Sequence, residues 1–162
     1  MTDQTTTQVH RNTKARLAEL GLQLPETPHA AAAYIPAIRT GHTVYTSGQL
    51  PLQNGSMVAT GKVGSQVTTE QAAEMARTCV LNALAAAGGL GDLDHARILK
   101  VTGFVASAPG FNGQPAVING ASDLLLKLFG PNGEHARSAV GVAELPLDAP
   151  VEVEILLELT AH

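Results

Sequence analysis

The chain has 162 residues, 44% of them apolar, which is enough for one domain with a real core and too apolar for a disordered chain. A net charge of −4, with the cations scattered, weighs against a phosphate-backbone binder, which needs clustered Lys and Arg. The single cysteine, Cys79, rules out an intrachain disulfide, and no apolar run approaches the ~20 residues of a membrane helix. Aromatic residues make up only 3%, so Val, Leu, Ile and Ala must build the core. The polar start has neither the basic nor the apolar region of a signal peptide, and a cytoplasmic location is expected.

Residues 1–10 are polar and expected to be mobile. Asn12 or Thr13 can cap a short helix over Lys14–Leu20, which Gly21 stops, and Pro25–His29 reads as a linker. Residues 1–29 are thus expected to form a tail with an appended helix, and residues 30–162 a single domain. Tyr34–Arg39 and His42–Ser47 read as a hairpin around Thr40-Gly41, and Asn54-Gly55 marks a second tight turn. A helix capped by Thr68 or Thr69 carries Ala72, Ala76, Cys79, Val80, Ala83 and Leu84 at helical spacing before Gly88-Gly89 ends it. Cys79 is most simply a small buried hydrophobe. Ile98–Ala106 reads as a long strand. After Pro115, a second helix has the stripe Val117, Ile118, Ala121, Leu124, Leu125 and Leu128.

The last stretch, residues 135–159, reads as two strands joined by a proline-bounded turn. In Val151–Leu159, the apolar odd-numbered residues alternate with Glu152, Glu154, Leu156 and Glu158. In Arg137–Ala143, Ser138, Val140 and Val142 alternate with Arg137, Ala139, Gly141 and Ala143. Paired as a hairpin, the strands would put Arg137 and Glu152 on one face among very small residues, a hollow suited to an anion. The two would stand roughly 15–20 Å apart within one chain, so any shared ligand would have to lie between subunits. Two helices cover only one face of such a sheet. The other, expected to carry Leu156, Ala139 and Ala143, should be buried by oligomerisation.

Several of these motifs, in this order, resemble the reactive intermediate deaminase superfamily, also called the YjgF family. They are Tyr34 in AYIPAIRTG, VYTSGQLP at 44–51, Asn119 in VINGASDLL, Arg137-Ser138 in HARSAV and Glu152 in APVEVE. The pattern as a whole looks like a less-characterised branch. The resemblance implies an α+β, chorismate-mutase-like fold, with a mixed sheet and two helices on one face. It also implies a homotrimer with clefts between subunits, and hydrolysis of enamine/imine acids to 2-oxo acids and ammonia without metal or organic cofactor. Carried over by motif, Arg137 grips the substrate carboxylate, Glu152 positions water, and Tyr34, Ser47, Gly48 and Asn119 line the cleft. Ala139 stands where the best-known members have Cys, which excludes a thiol role there, and Gly141 replaces a bulkier acidic residue.

Plainer readings stand beside these. Arg137 could pair with Glu154 or Glu158 on a solvated strand face, Asn119 could cap a helix, and Ser47-Gly48 could only end a strand. Tyr34 could pack at an interface. The six histidines show no metal-ligand spacing, and Thr60–Gly64 lacks the Ser/Thr that must follow Lys in a phosphate loop. A trimeric carboxylate-binding protein without turnover is a second hypothesis, and a ribonuclease, an older label of the family, a third.

Overall fold

The computed structural model describes residues 12–27 and 33–160. The expected mobile tail, and the linker beyond Thr27, lie outside them. Local chemistry explains most element ends. Helix α1, Thr13–Glu19, starts where Asn12 accepts a hydrogen bond from the Ala15 amide, and Gly21 at φ 70° turns the chain away. Leu17 of α1 is buried in the core, and Arg16 donates to the carbonyl of Lys127. Strands β1, Ala37–Thr40, and β2, Thr43–Thr46, form the first hairpin. The Asn54-Gly55 turn, with φ 51° and 78°, joins the two-residue strands β3, Leu52–Gln53, and β4, Ser56–Met57. Helix α2, Thr69–Gly88, opens with a capping box in which Thr68 and Gln71 satisfy each other's amides. β5 spans Ala96–Ala106, α3 spans Gln114–Phe129 with a proline in its first turn, β6 spans Ala136–Val142 and β7 spans Val151–Leu159.

The main sheet runs β1-β2-β7-β5-β6. β5 and β6 are parallel and joined by α3, while every other neighbouring pair is antiparallel. The expected terminal hairpin is therefore corrected: β6 and β7 do not pair, because β5 lies between them. Their connection passes the end of β5, where the Ala106 and Ser107 amides donate to the carbonyls of Pro150 and Val142. Leu147 and Asp148, both at positive φ, make the reversal in that connection.

Helices α2 and α3 pack on one sheet face, over Val44, Ile98, Val101, Val105, Val153, Ile155 and Leu157. They pack closely, since a Cβ at Gly120 of α3 would strike the carbonyl of Ala73 in α2. The five odd-numbered residues of β7 are all buried, as its alternation requires.

A second correction follows from register. Arg137 pairs with the buried Val101, and Ala139 with Gly103, so Arg137, Ala139 and Gly141 lie on the helix-covered face. Ala143 falls beyond the end of β6. Ser138, Val140 and Val142 lie on the opposite, outer face with Glu152, Glu154 and Leu156, the reverse of what hairpin pairing implied. That outer face exposes Ile38, Tyr45 and Val140 at 56%, 50% and 44%. No helix among the described residues is long and apolar enough to cross a membrane.

Candidate functional site

The sequence-identified residues form two groups. The first lies between β6 and α3. Arg137 Nη1 donates to Asn119 Oδ1 at 2.8 Å and to Ser122 Oγ at 3.2 Å. Asn119 and Ser122 sit three apart on α3, hence on one side of the helix. Asn119 is not a cap, since Gly113 begins the helix, and Arg137 pairs with neither Glu154 nor Glu158. Ser122 in turn meets His135 Nε2 at 2.9 Å, and His135 Nδ1 lies 2.6 Å from the Gly133 carbonyl. Further along β6 on the same side, Ala139 packs against the core and Gly141 lies close against Gln114 and Ser107. A Cβ at Gly141 would fall 2.8 Å from the Gln114 amide nitrogen and 3.0 Å from Ser107 Oγ.

The second group lies on the outer face. Gly48 is backed by the β7 backbone, because Gln49 and Val153 exchange both amide hydrogen bonds. Glu152 leans its carboxyl so closely over Gly48 that a Cβ there would overlap it. Ser47 Oγ donates to the Ile35 carbonyl at 2.7 Å, and its amide to Pro36 at 2.8 Å, which ties the exposed Tyr34 segment beside this glycine. Glu152 is half-buried, and that burial, followed by repulsion from Glu154, raises its carboxyl from its ordinary value. Such a group can exchange protons nearer neutrality than an exposed glutamate.

The two groups do not meet within one chain. Arg137 aligns with Val101 of β5 and Glu152 with Phe104, three positions further on. An odd offset puts them on opposite faces, and three residues along and two strands across is roughly 14 Å. Sequence pattern suggested separation along a hairpin; the actual barrier is the sheet itself.

Ser122 and His135 were missed by reading the sequence. Their signals were present: a hydroxyl three residues after Asn119 on an apolar stripe, and an imidazole two residues before Arg137. Cys79 is fully buried, and burial and then Glu152 hold its thiol well above its ordinary value, so it is no nucleophile. Lys62 of the rejected phosphate-loop stretch forms an ion pair with Glu144 at 2.8 Å. A cavity of about 740 Å³ lies elsewhere, between α1, residues 22–27 and the C-terminal end of α2, and none of the residues carried over by motif lines it.

Comparison with known proteins fits this architecture. The chain is 43% identical over 148 residues to Protein TCP17 of Trypanosoma cruzi, covering 90% of this chain and 92% of that one. It is 31% identical over 136 residues to a 2-iminobutanoate/2-iminopropanoate deaminase of Dermatophagoides farinae, covering 84% and 93%. Among solved structures, the protein Atu1372 of Agrobacterium tumefaciens, of unknown function, superposes with a TM-score of 0.83 at 43% identity, covering 92% of this chain and 94% of that one. The family model for Endoribonuclease L-PSP matches residues 24–159. With that match spanning the whole sheet and both large helices, the chain belongs to the Endoribonuclease L-PSP family, the YjgF/Rid superfamily whose motifs its sequence carries.

Proposed function

We propose that this protein hydrolyses reactive enamine/imine acids of the 2-aminoacrylate and 2-iminobutanoate type to 2-oxo acids and ammonia. The observation that carries the reading is the free edge of Arg137. Nη1 is occupied by α3, whereas Nε and Nη2 have no hydrogen-bond partner among the described residues. That edge can take a carboxylate with two parallel bonds. Glu152 supplies the complementary chemistry. It takes one proton from the water as its oxygen attacks the imine carbon and passes it to the nitrogen; the remaining hydroxyl proton follows to the nitrogen as the C=O bond forms, the C–N bond breaks and ammonia leaves. No covalent intermediate is needed. The likeness to a named imine deaminase supports this chemistry.

The site is proposed to form between copies of the chain, Arg137 of one meeting Glu152 of the next. Three large apolar side chains of the outer face support such an assembly, because in an isolated chain Ile38, Tyr45 and Val140 are left in water. A homotrimer is the form that the family pattern implies. The chain's net charge of −4 does not favour RNA as the substrate.

The test generates 2-iminobutanoate with a dehydratase and traps the unreacted imine with semicarbazide. Added protein should speed 2-oxobutanoate formation. Arg137→Ala and Glu152→Ala should each abolish the effect. Mixing the two inactive chains during refolding should restore about a quarter of wild-type activity, the chance that an interface joins two intact halves. No acceleration across several amino-acid precursors would defeat the proposal. Saturable 2-oxo acid binding without turnover would instead favour a carboxylate-binding protein.

A further inference from the structure

We infer that Ser122 and His135 are positioning residues that lock Arg137 so that it receives a carboxylate only on its Nε/Nη2 edge. The inference rests on the proposed deaminase reading and adds to it the mode of substrate capture.

With a neutral imidazole, the direction of each hydrogen bond in this relay follows from its partners. The Gly133 carbonyl can only accept, so His135 Nδ1, 2.6 Å away, carries the proton. In the neutral ring, Nε2 is then an acceptor. The Ser122 hydroxyl, 2.9 Å from it, must therefore donate. With its proton committed, the Ser122 oxygen offers only lone pairs, and it accepts from Arg137 Nη1 at 3.2 Å. The remaining Nη1 hydrogen goes to Asn119 Oδ1 at 2.8 Å. Both hydrogens of Nη1 are thus consumed, and the end-on fork between Nη1 and Nη2 is closed. The side-on fork, Nε–H with one Nη2–H, remains. A planar carboxylate can match it with two parallel bonds.

Burial and placement support this order. Ser122 is 9% exposed on α3, where the stripe around it is apolar, so its hydroxyl needs partners and has these two. His135 and Arg137 are two residues apart at the start of β6, so both project towards α3. Removing the imidazole acceptor would free the Ser122 proton to rotate, and the lone pairs facing Arg137 would no longer be fixed.

Two substitutions of His135 separate the two ends of the ring. In His135→Asn, the amide N–H takes the place of Nδ1–H and can still bond Gly133, but nothing remains to accept from Ser122. In His135→Gln, the amide oxygen reaches the Nε2 position and can still accept from Ser122. The experiment titrates 2-oxobutanoate into full-length protein by calorimetry and measures kcat and KM for 2-iminobutanoate, with thermal melts confirming folding. Ser122→Ala and His135→Asn should each weaken 2-oxobutanoate binding by about 10-fold, the loss expected for a hydrogen bond to a charged group. KM should rise by a similar factor with kcat nearly unchanged, because carboxylate binding is common to ground and transition states. His135→Gln should stay within about 3-fold of wild type, an acceptor having been kept.

Wild-type affinity in His135→Asn together with a loss in His135→Gln would overturn the inference, leaving His135 only as a tie for the Gly133 turn. Wild-type affinity in Ser122→Ala would also overturn it, as would a fall in kcat at constant KM. A wild-type chain that neither binds 2-oxobutanoate nor speeds imine hydrolysis is a distinct result. It removes the deaminase reading itself, and this inference with it.

Discussion

Gly48→Ala tests the outer half of the proposed site with little risk to the fold. Gly48 is not among the glycines at positive φ, so alanine can adopt its backbone. Its new methyl group would overlap only the end of the Glu152 side chain. A terminal carboxyl yields by changing rotamer, at about 0.5–1.5 kcal/mol. Replacing glycine returns about 0.4–1 kcal/mol by restricting the unfolded chain. The two nearly cancel, and for a domain of this size a residual of about 1 kcal/mol moves Tm by only about 2–4 °C. Catalysis should respond very differently. Moving a water-directing carboxyl by about 1 Å can cost on the order of 100-fold in rate, equivalent to about 2.7 kcal/mol of barrier. The expected outcome is a near-wild-type melt with kcat/KM for 2-iminobutanoate reduced by about 10- to 100-fold. Full activity in a normally folded Gly48→Ala protein would refute the role given to Glu152. A large fall in Tm would show instead that the glycine is needed for packing and not for clearance around the carboxyl.

Gly120→Ala should do the opposite of what helix propensity suggests. Alanine is favoured by about 1 kcal/mol inside a helix, but here its methyl would meet the backbone carbonyl of Ala73, which cannot rotate away. Overpacking of this kind costs about 1–3 kcal/mol or more, so Tm at fixed protein concentration should fall, and a rise would refute the close packing of α2 and α3. Glu152→Gln should abolish deamination and shift the pH dependence of stability. Burial and Glu154 raise the folded carboxyl above its unfolded value, so its stabilising contribution is complete at acid pH and lost as pH rises through the folded value. The amide lacks that loss, and chemical denaturation should find Glu152→Gln the more stable near neutrality by no more than about 1 kcal/mol, solvent screening considered. The gap should close on acidification; an equal gap at both ends would contradict the assignment. Tyr45→Asp places a charge on the outer face while disturbing no core residue, since Tyr45 is 50% exposed. Sedimentation should show smaller species than for wild type, with activity lost in parallel. An unchanged assembly would show that this face does not mediate it.

Much of the fold is legible in the residues one element at a time. The alternation of β7, the threonine cap at 68 or 69, the Asn54-Gly55 turn and the stripe of α3 all correspond to observed structure, Thr68 being the cap. What misled was the relation between elements. Period-two alternation says which residues of a strand share a face, but not which face of the sheet that is. Taking β6 and β7 as neighbours because they are consecutive supplied the wrong phase for β6. The set holding Val140 and Val142 then looked like the core side, and Arg137 the solvent side. In the structure, β6 follows α3 in a parallel crossover from β5, and its inward residues are Arg137, Ala139 and Gly141. The motif residues Arg137 and Asn119 could be recognised singly. Their mutual hydrogen bond, and its extension through the buried Ser122 to the partly buried His135, depend on the packing of α3 over β6, which no local pattern encodes.

The place of each strand in the sheet gives the two groups unequal freedom. β7 is bonded on both sides, by β2 and β5, whereas among the described residues β6 is bonded by β5 alone. Backbone amides of a strand held on both sides open only with large parts of the fold, while a strand at a sheet margin can breathe alone. Glu152 therefore rides on an anvil. Arg137 stands on the more pliant border, and its hold on Asn119 and Ser122 of α3 does there what a second neighbouring strand does for β7. In the proposed site the reacting water would thus be fixed by the sheet and the carboxylate grip by the helix.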